Sequence, residues 1–239
     1  MEAKTKRIEI IDALRGLSVL LMVIHHMLYN LVYFFDAPEW LFTNPVFDVL
    51  HYIFAGLFIF LSGISSRLSR SNTERGCKAI LLAFAITYVT YRMEMPIWFG
   101  VLHLLGFSML LFGMTRKLWD AIPRKAAPFI YAVLLVVSAL ARGGVEIEAA
   151  APVLRDLLSV LGWPQEGFVS YDYFPLLPWV FVFLLGAWAG LYIVERKLPA
   201  WFYAAKPPLF PAIGRKALVI YILHQPVLYG IMMGIRALI

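Results

Sequence analysis

The chemistry available to this sequence lies in ionisable side chains set into apolar stretches. Residues 8–35 hold Asp12, Arg15, His25 and His26, with Tyr29, Asn30 and Tyr33 beyond them. Such groups are costly inside a bilayer, so each is a functional candidate. Arg15 and His26 are eleven residues apart, three helical turns plus about 20°, so they share a face, with His26 ~16 Å further along. Ser18, Met22, Tyr29, Asn30 and Tyr33 fall within about 60° of that line, and His25 is rotated about 80° away. A lone arginine near a helix end snorkels to the interface, and a lone histidine makes an interhelical hydrogen bond. An arginine and a histidine aligned along one face make a polar track.

Other stretches add to it. Asp48 and His51 are three residues apart on the next apolar run, so a carboxylate and an imidazole share a helix face. Asp48 there can orient and raise the basicity of His51, or of His26 across helices. His103 enters at a similar depth, Asp172 and Tyr173 stand at the mouth of a later run, and His224-Gln225 sits near the middle of the last. Arg92 and Glu94 read as a solvated pair at a helix end. A guanidinium suits phosphates, and an imidazole suits a general base or acyl-accepting nucleophile. Together these residues predict acyl transfer from a thioester. Coenzyme A has the matching shape, a phosphorylated head and an arm about as long as the ~16 Å rise from Arg15 to His26. We therefore assign catalysis to His26, Asp48 and His51. The donor is assigned to Arg15, Asp12, Ser18 and His224, and the acceptor side to His103, Asp172, Tyr173, Asn30 and His25. Neither CxxC nor Cys/His ligand spacing occurs, so no metal is expected, and the single Cys77 forms no intrachain disulfide.

The elements that position these residues follow from composition. Of 239 residues, 62% are hydrophobic and 15% charged, against roughly 45–50% and about 25% in soluble domains. The excess lies in blocks of about 17–25 residues, long enough to span a bilayer as helices. A soluble globule, a disordered chain and a nucleic-acid-binding domain are excluded despite the net charge of +6. Continuous rather than alternating runs exclude a barrel. The expected fold is all-α, a polytopic membrane helix bundle forming a single domain over residues 1–239. Its seven expected spans are Ile8–Phe35, Pro45–Ser66, Cys77–Met93, Ile97–Met114, Ala127–Ala141, Phe174–Val194 and Lys216–Ile235. With the N-terminus cytoplasmic, 16 of the 21 basic residues fall on the inner side and four on the outer, leaving Arg15 inside a span. The first span is too long and too polar for a cleaved signal peptide.

Two connections are long. The acidic segment Arg142–Tyr173 carries Glu146, Glu148, Asp156, Glu166 and Asp172. Its Val153, Leu154, Leu157, Leu158 and Leu161 recur at helical spacing, predicting a short surface helix. The segment Glu195–Arg215, with four prolines, predicts a kinked connection. Gly186–Gly190 and Gly230–Gly234 are GxxxG spacings that predict close helix packing.

Ile11-Asp12-Ala13-Leu14-Arg15-Gly16-Leu17, continuing through Met22 to His25-His26, resembles the first helix of the transmembrane acyltransferase superfamily, whose membrane O-acyltransferases carry an arginine, ten residues and a histidine. Residues 48–62, Gly100–Gly106 and Phe174–Gly186 are similar to bacterial members of the heparan-alpha-glucosaminide N-acetyltransferase catalytic-domain family. The resemblance implies acetyl-CoA as donor, transfer across the membrane to a sugar-like amine or hydroxyl, a bacterial inner-membrane location and glycan modification. It matches Arg15 to the donor-binding arginine and His26 to the catalytic position of the O-acyltransferases. The lysosomal enzyme places its key histidine in the next loop, and Asp36–Trp40 has none, so catalysis falls to His26 or to Asp48 with His51. The chain is several helices shorter than the lysosomal enzyme, which implies an acceptor site that is either more open or completed by a second copy, a homodimer. Two other classes share these residues. One is a haem-binding cytochrome with axial pairs from His26, His51, His103 and His224. The other is a small-molecule carrier using the track as a permeation path.

Overall fold

Backbone polar groups have no water partner in lipid, so each apolar run must satisfy them within a helix. A computed structural model describes residues 7–144 and 151–238, and among them the chain is all-helical, with no strand. The order is α1 (Glu9–Phe35), a 3₁₀ turn (Glu39–Leu41), α2 (Pro45–Leu68), α3 (Asn72–Arg92), α4 (Val101–Ala121) and α5 (Ala127–Gly144). Then come α6 (Pro152–Leu161), α7 (Leu176–Val194), α8 (Ala200–Ala204), α9 (Phe210–Arg215) and α10 (Ala217–Arg236). Each of the seven expected spans holds one helix, although α4 begins four residues after the expected Ile97 and α7 two after Phe174. Five are long and apolar enough to cross a membrane: α1, α2 with the turn before it, α4, α7 and α10. Of the other two, α3 carries Glu74, Arg75 and Lys78 in its first two turns, and the apolar part of α5 is short, Ala127–Gly143. The chain is thus an integral, multi-pass membrane protein.

The chain divides into two compact units, one of residues up to Leu61 with those from Leu198 onward, the other Ser62–Lys197. In the first unit α1 packs on α9 and α10. The α1–α9 contact is backbone on backbone: a Cβ on Gly16 would collide with the Phe210 carbonyl oxygen, and one on Gly214 with that of Asp12. Only glycine permits that approach. Asp36 ends α1 in a left-handed conformation (φ 55°), its amide returning to the Leu31 carbonyl. The connection from Glu195 to Arg215, expected as kinked, contains the short helices α8 and α9, and Pro211 sits in the first turn of α9, where a missing N–H is harmless.

The second unit pairs α3 with α4 and α5 with α7. Gly76 and Gly106 let α3 and α4 approach closely, and Ser71 caps α3 by accepting from the Glu74 amide. Phe112 and Phe183, both almost fully buried, meet edge to face between α4 and α7. Gly190 packs against Arg67 and Ile64 of the α2 end, as its GxxxG spacing predicts. The second such spacing does not behave this way: a Cβ on Gly230 or Gly234 would meet nothing within 4 Å among the described residues. The loops before α4 and α7 are stitched by Tyr171 N–H to the Pro96 carbonyl (3.1 Å) and Phe174 N–H to the Phe99 carbonyl (2.8 Å). The predicted short helix is α6. It buries Leu158, while Val153, Leu154 and Leu157 stay exposed, and Arg142 donates to the Gly162 carbonyl just after it. Glu146 and Glu148 lie outside the described residues.

Candidate active site

In the first unit, α1 carries the track. Asp12 is buried and pairs with Arg15 at 2.7 Å, one turn along the same helix. The carboxylate therefore holds the guanidinium in place. Ser18 is buried too, and its hydroxyl donates to the Leu14 carbonyl of its own helix (2.9 Å). Further along, His26 Nδ1 lies 3.0 Å from the Met22 carbonyl oxygen. A carbonyl only accepts, so Nδ1 carries the proton of the neutral ring and Nε2 keeps the lone pair. Nε2 has no hydrogen-bond partner among the described residues. The backbone of α1 thereby selects the tautomer a base requires.

Around His26 four imidazoles assemble. Its ring centroid lies 4.8 Å from that of His224 and 5.7 Å from that of His25, and His25 stacks on His51 at 4.2 Å. His224 Nδ1 faces the Tyr221 carbonyl (2.7 Å), so its Nε2 is also the unprotonated nitrogen. Asn30, 1% exposed, donates to Gln225 Oε1 at 2.9 Å and ties α1 to α10 beside the cluster. The imidazoles touch ring to ring. A porphyrin held by two axial histidines must lie between them, and neither the His26–His224 nor the His25–His51 pair leaves that space. Among the described residues no group of three or more His, Cys, Asp or Glu is arranged to hold a metal ion. Asp48 is exposed, and no hydrogen bond or ion pair joins it to His26 or His51 among the described residues. His51 finds its ring partners in His25 and Tyr52 instead.

Three residues expected on the acceptor side, His103, Asp172 and Tyr173, belong to the second unit, and each has local work. His103 is 2% exposed. Its Nδ1 accepts from the Gly100 amide (3.3 Å), and its Nε2 lies 3.2 Å from the Thr87 hydroxyl. That hydroxyl gives its own proton to the Ile97 carbonyl (2.6 Å), so it accepts from His103 Nε2–H. Both ring nitrogens are used. Asp172 Oδ2 accepts from the Val101 amide (3.3 Å) at the start of α4, where backbone N–H groups lack helical partners. Tyr173 donates to the Ser159 carbonyl at 2.5 Å, pinning α6, and burial pushes its phenol up to about 12.

One polar centre escaped the sequence reading. Arg67, near the end of α2, is 8% exposed. It donates Nε to the Ala187 carbonyl (3.0 Å), pairs Nη2 with Asp120 (2.6 Å) and lies 4.8 Å over the Phe112 ring. Asp120, an acid near the end of α4, was the available signal. A buried arginine at a helix end needs such a partner.

Comparison with the curated proteins and with solved structures returned no match. A family model does match, described as heparan-alpha-glucosaminide N-acetyltransferase, catalytic, over residues 7–226. That span takes in α1, the histidine cluster and the first half of α10, and it agrees with the resemblance carried by the first helix. The chain belongs to the heparan-alpha-glucosaminide N-acetyltransferase catalytic family.

Proposed function

We propose that this protein transfers an acetyl group from cytoplasmic acetyl-CoA to a hydroxyl or amine of an extracytoplasmic, sugar-like acceptor, with His26 as the base. The family supports a transmembrane acetyltransferase. The observation that carries the residue assignment is the His26 ring, whose Nδ1–H is turned to the Met22 carbonyl while Nε2 is left unpaired three turns along from Arg15. Arg15, held by Asp12, binds donor phosphates with its guanidinium fork. The arm of the donor follows the α1 face. His26 Nε2 takes the proton as the acceptor oxygen or nitrogen attacks the thioester carbonyl. The tetrahedral intermediate then collapses, the carbon–sulfur bond breaks, and the thiolate receives the proton from the imidazolium. His25, His51 and His224 give that proton further acceptors on the same cluster, and Asn30 with Gln225 lines its edge. In this reading the seven helices span a bacterial inner membrane, with the N-terminus inside.

The test supplies labelled acetyl-CoA to membranes containing the protein, with His26→Ala, Arg15→Ala and Asp48→Asn beside it. His26→Ala is expected to abolish transfer, and Arg15→Ala to raise the apparent KM for donor more than it lowers kcat. Because Asp48 is exposed and unpaired with a histidine, Asp48→Asn is expected to keep most activity. Full transfer by His26→Ala overturns the assignment.

A further inference from the structure

The second unit contains a cavity of about 320 Å³ among the ends of α2, α4, α5 and α7, walled by Arg67, Arg116, Asp120, Arg124, Trp119 and Trp188, with Tyr131 and Leu191. Nothing in the proposed acetyl transfer uses it. At roughly 30 Å³ per water it holds about ten waters, more than a bridging solvent site needs. Its charge is unbalanced. Asp120 pairs with Arg67 and Arg116, and Glu195 pairs with Arg124 and Lys197. In the lining itself Arg67, Arg116 and Arg124 stand against Asp120, leaving two positive charges in excess, with the Glu195–Lys197 pair outside it.

The donor inventory points the same way. Arg67 Nε and Nη2 are occupied, but Nη1, itself buried, has no hydrogen-bond partner among the described residues. Buried donors on a charged group are almost always paired. This one belongs to a guanidinium that lines the cavity. Trp119 and Trp188 turn their indole N–H groups to Thr115 and to the Arg124 carbonyl, so their remaining ring surface is apolar wall. A dianionic head with several acceptor oxygens and a less polar body matches this lining, and guanidinium forks match phosphoryl oxygens.

We propose that this cavity binds a phosphate monoester dianion through Arg67, Arg116 and Arg124, with Asp120 holding two of the guanidinium groups in position. Such a head is presented by a lipid, as in phosphatidic acid, or by a soluble ligand. The full chain in phosphatidylcholine nanodiscs is titrated with inorganic phosphate, following tryptophan fluorescence. In parallel, discs containing phosphatidic acid or phosphatidylglycerol are extracted, and retained lipid is read by native mass spectrometry. Saturable binding in one arm is expected, and the arm identifies the source; phosphatidic acid is expected to be retained over the diester phosphatidylglycerol. Arg116→Gln and Arg124→Gln, both at exposed positions, are each expected to weaken binding about tenfold or more, as loss of a charge-assisted hydrogen bond does. Arg67→Gln is expected to weaken it at least as much. Should Arg67→Gln fail to fold, the two exposed variants still decide. Absence of saturable binding in both arms, preference for phosphatidylglycerol, or unchanged binding in Arg116→Gln and Arg124→Gln overturns the proposal. The readout is binding, so its failure is distinct from a failure of acetyl transfer.

Discussion

His26 and His103 are the same side chain on two apolar helices, and their surroundings differ in one respect that decides what each can do. His103 accepts from the Gly100 amide and donates to Thr87, and it is flanked by the Phe84 and Phe99 rings. His26 has one nitrogen tied to its own helix and the other open, with His25 and His224 rings against it. A fully bonded imidazole in an apolar wall is a structural joint. An imidazole whose tautomer is fixed while its lone pair stays free is a base in waiting. The contrast extends to their neighbours: Asp172 and Tyr173 of the second unit also close local hydrogen bonds, whereas the first unit's imidazoles meet ring to ring.

The largest expected effect tests the open side of that contrast. His26→Ala should lower transfer by about 10²–10⁴-fold, the usual worth of a positioned base, while far-ultraviolet dichroism and thermal midpoint stay near wild type. His103→Ala should do the reverse and unfold before it slows the chemistry. In the second unit, Arg67→Met should lose about 2–3 kcal/mol of stability, because it removes a buried hydrogen bond and an ion pair together; a calorimetric midpoint in detergent measures it. Thr87→Val leaves His103 Nε2–H without its acceptor and should cost about 1–3 kcal/mol, with kcat unchanged. Tyr173→Phe should cost about 1 kcal/mol. The folded phenol keeps its proton to about 12, against an ordinary 10.0. Wild-type stability should therefore fall as pH rises from about 10 to 12, and the phenylalanine variant should lack that slope. The smallest effect is at Glu195, where Arg124 and Lys197 hold the carboxyl down at about 2 against an ordinary 4.5. What it adds is fully present above 4.5 and is lost as pH falls toward 2; titration of Glu195→Gln should show no such loss.

What could be read from the sequence was whatever one helix contains. Arg15, Ser18 and His26 share a face because 3.6 residues make a turn, and α1 displays them that way. The apolar blocks, the helix over Pro152–Leu161 and the first GxxxG packing were legible for the same reason. Asn30 and Gln225 are 195 residues apart, and no local pattern joins them. Nor does spacing reveal that His25 stacks on His51, or that Thr87 and the Gly100 amide consume both nitrogens of His103. Gly230 and Gly234 have the spacing of a packing motif, yet among the described residues nothing lies within 4 Å of a Cβ on either, since spacing names a smooth face and not its occupant. Arg67 was legible as a charge near a helix end, but its burial depends on Asp120 and the Ala187 carbonyl, each far along the chain.

The glycine contact between α1 and α9 has a mechanical consequence. Where two helices meet through side chains, one can ratchet past the other by exchanging rotamers. Gly16 and Gly214 offer no such slack, since backbone bears directly on backbone at Asp12 and again one turn later at Gly16. Sliding α1 by even one residue, about 1.5 Å, would drive a side chain into a carbonyl. α1 and α9 therefore move as a single lever. The rise from Arg15 to His26 is thus a ruler of fixed length whose zero mark, one residue before Gly16, is clamped.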